Sequence, residues 1–183
     1  RTAAAAFLEQ AALLTPDPAR RAQRELSAAW MKRDAGALEQ SLELLVTVDA
    51  GPPDAQREAD AERLRGQIAL DQQRGRDAAR LLLNAARRLE PLDADQAREV
   101  YLEALLAAMW ASDGPDSVVE AAQAARTAPP ACVPPRVVDL VLDALATRFT
   151  EGYVPAAPLL TRALDAVRAL DVRAEDVGRL LWL

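Results

Sequence analysis

The 183-residue sequence contains no histidine, one cysteine, one lysine and few aromatic residues, which make up 4% of the chain. With one cysteine no internal disulfide can form, and a reducing compartment is the default. Cys132 lies in the proline-rich stretch 128–135. A reactive thiol there would need an activating neighbour, and the lack of histidine makes it an inert loop cysteine. Valine and isoleucine are sparse and no period-two alternation occurs, so strands are not expected. Apolar runs such as Leu81 to Leu83 are far too short to span a bilayer. The opening segment from Arg1 to Leu14 carries Glu9 and reads as an amphipathic helix, not a signal peptide. A net charge of −6 and a pI near 4.8 argue against this segment gripping a phosphate backbone.

What is present is helix-forming and periodic. Hydrophobic residues make up 51% of the chain, much of it alanine, the best helix former and small enough to let helices pack closely. Glycines fall at Gly36, Gly75, Gly114 and Gly152, spaced 39, 39 and 38 residues apart. Eight residues after them come Leu44, Leu83, Ala122 and Leu160, and eleven after them Thr47, Ala86, Ala125 and Ala163. At sixteen stand Pro52, Pro91 and Pro130, with Arg168 breaking the set. Glycine permits the positive φ that a tight helix–helix turn often needs, and proline cannot continue a helix. A fixed period of this length is the signature of a stacked repeat protein, whose units bury their apolar faces against their neighbours.

The reading is all-α, with helices at about 2–14, 17–35, 37–50, 54–74, 76–90, 94–112, 116–127, 135–151, 154–170 and 174–183. Asp17, Asp54 and Asp93 follow or precede prolines in positions suited to N-caps. The first helix of each pair carries an apolar stripe: Ala61, Leu64, Ile68 and Ala69; then Val100, Leu102, Leu105, Leu106 and Met109; then Val138, Val141, Leu142, Leu145 and Phe149. Short turns make the pairs antiparallel, and stacked pairs are expected to curl into a right-handed superhelix with a concave face. The expectation is one helical-repeat domain over 1–183, with a joint at 128–135. The uncapped run Gly178 to Leu183 suggests a piece of a longer protein or a surface for self-association through the last helix.

Few residues stand out as site candidates. Trp30, Trp110 and Tyr101 are weak candidates for ligand or partner binding on the concave face, against packing between repeats, where large aromatics usually go. Tyr153 is expected to wedge the turn after Gly152. Glu99 and Glu103 share a helix face, but without histidine or a second acidic cluster they read as a solvated face, as do Arg20, Arg21 and Arg24. No catalytic residue, cofactor-binding residue or metal ligand is expected.

Ala79, Leu83, Ala86 and Pro91 match the small–x3–bulky–x2–small–x4–Pro spacing of the second helix of a tetratricopeptide repeat, although the period here exceeds 34 residues. Residues 15–45, 79–111 and 149–167 resemble the helical-repeat region of large actinobacterial LuxR-type transcriptional regulators with an ATP-binding domain. Such proteins have an N-terminal signal-transducing NTPase and a C-terminal helix-turn-helix, so ATP would belong to a domain outside this chain. The sequence itself has no GxxxxGK[ST] and no basic recognition helix, so no nucleotide or DNA contact carries over. The resemblance implies a non-catalytic, cytoplasmic sensor or interaction module that takes a protein or small-molecule inducer in its groove. A stand-alone scaffold docking a peptide is the alternative.

Overall fold

Proline, aspartate and glycine punctuate the chain where helices begin and end. In the computed structural model, which describes residues 2–111 and 115–169, the helices are α1 (Thr2–Leu13), α2 (Pro18–Asp34), α3 (Leu38–Asp49), α4 (Ala55–Asp71), α5 (Gly75–Leu89), α6 (Ala94–Trp110), α7 (Pro115–Arg126), α8 (Val137–Thr150) and α9 (Tyr153–Arg168). No strand occurs among the described residues, and the fold is all-α. The helix expected over 174–183 and the glycine Gly114 lie outside the described residues.

Three first helices start on the expected aspartates. Asp17, Asp54 and Asp93 each accept a hydrogen bond through Oδ1 from the backbone N–H three residues on, at 2.8, 2.8 and 2.9 Å. Such a cap stabilises a helix by about 1 kcal/mol, because it satisfies an N–H that has no partner in the first turn. At α8 the order is inverted: Arg136 occupies the cap position and its N–H donates to Asp139, at 2.9 Å. The prolines Pro52, Pro91 and Pro130 all fall in the connections that leave a second helix.

The glycine ladder needs correcting. Gly36 ends α2 at φ +78°; its N–H donates to the Arg33 carbonyl and the N–H of Ala37 to that of Lys32, both at 2.9 Å. This is the paired C-terminal bonding that a left-handed residue makes available. The same pair of bonds closes α4, from Gln73 to Leu70 and from Arg74 to Ala69, both at 2.8 Å. There Gln73, at φ +60°, holds the left-handed position, so α4 stops at Asp71 and not near residue 74. Gly75 has a different reason to be glycine. A Cβ on it would lie 2.7 Å from the Ala111 Cβ and 2.8 Å from the Ala111 Cα, so close packing against the end of α6 requires the missing side chain.

Each helix packs against its neighbour in sequence, with the α3–α4 contact the thinnest, and the short turns make neighbours antiparallel. Alternate helices also meet: α2 with α4, α5 with α7, and α6 with α8. Two apolar clusters result, and α4 contributes to both. Leu26, Ala29, Leu45 and Val48 meet Ala61, Leu64 and Ile68 on one side of α4. On the other, Ala59 and Ala69 join a larger cluster that runs through Leu82, Leu89, Val100 and Leu105 to Leu142 and Ala146. This larger core runs without a break across the proline-rich stretch 128–135. Fully buried alanines line much of it, which lets α4, α5, α6 and α7 approach closely.

The expected stripe of α4 is buried throughout, and Val100, Leu102 and Leu105 of α6 are also buried. Met109 departs from the expectation: it is 40% exposed. No helix among the described residues is long and apolar enough to cross a membrane.

Candidate functional site

Helices α2, α4, α6 and α8 are tied in turn by polar side chains about 40 residues apart in sequence. Between α2 and α4, the Arg33 guanidinium forks the Asp71 carboxylate, with Nε to Oδ2 at 2.7 Å and Nη2 to Oδ1 at 3.1 Å. Between α4 and α6, Glu103 accepts from both Arg63 and Gln67, the latter at 2.8 Å. Gln96 reaches back to donate to Asp60 at 2.6 Å and accepts from Gln56 at 2.7 Å. Between α6 and α8, Arg98 donates through Nε to Asp139 at 2.6 Å, through Nη2 to Asp143 at 2.7 Å, and through Nη1 to the Pro129 carbonyl at 2.8 Å. Arg33 to Asp71, Arg63 to Glu103 and Arg98 to Asp139 span 38, 40 and 41 residues of sequence.

The solvated-face reading fails for Glu103, whose side chain is 15% exposed, and holds in part for Glu99, at 39%. Glu103 pairs with Arg63 of α4, whereas Glu99 takes its hydrogen bond from Arg136, whose Nη1 donates to it at 2.8 Å, and also lies 4.0 Å from Arg63. The basic cluster keeps its solvated-face reading, since Arg20, Arg21 and Arg24 are all exposed. Arg21 donates to the Thr15 carbonyl at 3.0 and 2.9 Å, and Arg24 to the Ala11 carbonyl at 3.0 Å, so both close the C-terminal end of α1. Arginine suits these sites because its planar fork satisfies two acceptors at once.

The electrostatics follow from these contacts. Burial opposes the charge of Arg63, but Glu103, followed by Glu99 and Asp60, outweighs it and holds the guanidinium above its ordinary value. Burial likewise pushes the Asp139 carboxyl up, but hydrogen bonds from Arg136 and Arg98 bring it below the usual carboxylate value. The Arg98 and Asp139 side chains are 4% and 0% exposed, so this pair is sealed from water. Among the described residues, no group of His, Cys, Asp and Glu is arranged to hold a metal ion.

The three aromatic candidates separate. Tyr101 cannot stack on a ligand: it is 1% exposed, and its hydroxyl donates to Glu90 at the end of α5. Burial and then the Glu90 interaction push that hydroxyl above its ordinary range. Trp30 packs, partly buried, against the cluster of α2, α3 and α4. Trp110 does the opposite of packing: it is 80% exposed and lines a cavity of about 810 Å3 with Leu70, Arg74, Gly75 and Asp77. Tyr153 opens α9 with its ring 65% exposed and the Arg148 guanidinium 5.9 Å from its centre, so it does not wedge the turn. Cys132 is partly exposed in the 127–136 connection, with Sγ 3.4 Å from the Pro134 carbonyl.

A second cavity, of about 400 Å3, lies between α5 and α7. Its floor includes the buried side chains of Ala79 and Leu83, and its α5 wall carries Arg80, Asn84 and Arg87. Asp116 and Glu120 of α7 stand opposite. The groove was not legible in the sequence, since its two walls are 29 or more residues apart and each one alone looks like a solvated helix face. No protein-family model, no curated protein and no solved structure matches this chain.

Proposed function

We propose that this chain is a helical-repeat binding module of tetratricopeptide-like build, a right-handed superhelix of antiparallel pairs with no catalytic role of its own. The observation that carries the reading is the series of ties between first helices at separations of 38, 40 and 41 residues, close to the 39-residue period of the sequence. In a stacked repeat each unit contacts only its neighbours, so equivalent surfaces meet one period apart.

The module is the sensor or docking arm of a cytoplasmic LuxR-type regulator whose NTPase and helix-turn-helix lie outside this chain, as the resemblance of residues 15–45, 79–111 and 149–167 implies. A protein or small-molecule inducer would bind it and shift its population toward the conformation or self-associated state it prefers, relieving restraint on the NTPase. The size of the shift is set by the inducer's differential affinity for the two states. This chain itself makes no contact with DNA in that scheme, and ATP binds elsewhere.

The test is the reading frame on either side of the segment, followed by deletion of residues 1–183 from the full-length protein. A phosphate-binding loop upstream, a helix-turn-helix downstream and loss of inducer response on deletion are expected. Flanks without either motif would overturn the regulator reading and leave a scaffold that docks a peptide. An unchanged response after deletion would overturn the sensing role.

A further inference from the structure

The polar groups of this molecule fall into two populations. On the first helices nearly every charge is spent on another: Arg33, Arg63, Arg98 and Arg136 all hold carboxylates. A ligand entering there would have to break those pairs and leave a partner uncompensated. The groove between α5 and α7 is the reverse. Asn84, Arg87, Asp116 and Glu120 line it, and among the described residues none of them makes a hydrogen bond or ion pair. Arg80 has only Asp77, at 3.8 Å.

Helical geometry sorts these groups by sign. Arg80, Asn84 and Arg87 lie at i, i+4 and i+7 and share one face of α5, while Asp116 and Glu120 lie at i and i+4 on α7. One wall is therefore cationic and the other anionic, over the apolar floor of Ala79 and Leu83. Arg76 and Ser117, which also line the groove, have partners of their own. Among the described residues Arg80 and Arg87 do not pair with Asp116 or Glu120, and about 400 Å3 lies between them, within the range of small-molecule sites.

Building on the reading of the chain as a binding module, we infer that the groove between α5 and α7 binds a small zwitterion of dipeptide size. Its carboxylate would sit on Arg80 and Arg87 and its ammonium on Asp116 and Glu120. Guanidinium matches carboxylate as a planar fork, and the two acids supply acceptors for an ammonium that has only donors. Asn84, which can both donate and accept, faces the position of the ligand's amide. A ligand with one charge alone would leave one wall without a partner.

The test is calorimetric titration of the 183-residue chain, at low salt, with alanyl-alanine, its N-acetylated form and its C-terminal amide. The free dipeptide should bind, and each blocked form should bind about tenfold more weakly, the loss expected for one charge-assisted contact. Arg87→Gln should weaken the free dipeptide while leaving the amide unchanged, and Glu120→Gln should do the same with the acetylated form. Both residues are exposed, and circular dichroism would show that both variants keep the helical fold. Absence of binding, equal binding of all three probes, or indifference to both substitutions would overturn the inference. None of those results touches the regulator reading, which stands or falls on the flanking sequence and the deletion.

Discussion

The α2–α4 and α6–α8 junctions use the same device in different surroundings. Each joins an arginine of one first helix to an aspartate of another about one period away. At α2–α4 the Arg33 and Asp71 side chains are 10% and 27% exposed, at the helix ends beside the smaller cluster. At α6–α8 the Arg98 and Asp139 side chains are 4% and 0% exposed, and three further groups converge on them: Asp143, Arg136 and the Pro129 carbonyl. The comparison teaches that burial, more than the pairing itself, sets what a pair is worth. A partly solvated pair breaks into two hydrated ions, whereas a sealed one leaves a bare charge in the core.

The widest separation between the two junctions should come from removing one acid at each. Asp139→Ala removes the sealed carboxylate that Arg98 and Arg136 share, leaving Arg98 with Asp143 and the Pro129 carbonyl. It is expected to cost about 3 kcal/mol, whereas Asp71→Ala should cost at most about 1 kcal/mol. Urea unfolding of both variants checks this, and equal losses would sink the burial argument. The same contrast should appear in pH. The folded-state carboxyl of Asp139 is held below its ordinary value, so its contribution is present above the unfolded value, about 3.9, and lost as pH falls through the folded one. The melting temperature should therefore fall below about pH 4, and Asp139→Asn should flatten part of that acid limb.

A smaller effect is expected where the start of α5 meets the end of α6. Gly75→Ala would drive a Cβ into the backbone of Ala111 and should cost about 1–3 kcal/mol, as overpacking does. A variant as stable as the parent would show that the α4–α5 turn can move away from α6. The smallest change compares the two equivalent turns, in which Gly36 and Gln73 both hold positive φ. Glycine escapes the Cβ penalty of that conformation, so Gln73→Gly should raise stability by about 0.5–1 kcal/mol while Gly36→Ala lowers it. Thermal midpoints of the two variants moving in the same direction would contradict the equivalence of the turns.

Much of this architecture was legible in the sequence because its signals are local. Asp54 caps α4 through a bond to a residue three positions away, and Pro91 ends a helix by the constraint of its own ring. The stripe of Ala61, Leu64 and Ile68 shows the buried face of α4 within two turns. The glycine spacing was half right: Gly36 is glycine for its φ and Gly75 for its closeness to Ala111, and the left-handed residue equivalent to Gly36 is Gln73. Glu103 misled because an i,i+4 carboxylate pair looks the same whether water or another helix receives it. A hint was available in Arg63 and Glu103, opposite charges one period apart on first helices.

The sequence by itself determined which of the described segments are helical, to within about three residues at their ends, and which face of α4 and most of that of α6 turns inward. Those outcomes depend on dihedral preferences, caps and periodicity acting over a few residues. Only the tertiary structure decided that Asp139 is buried, that Tyr101 is core while Trp110 stands in solvent, and that Arg87, Asp116 and Glu120 meet around one groove without a partner among the described residues. Each of these depends on what a second helix, tens of residues away, brings within 4 Å, and no local pattern encodes that distance.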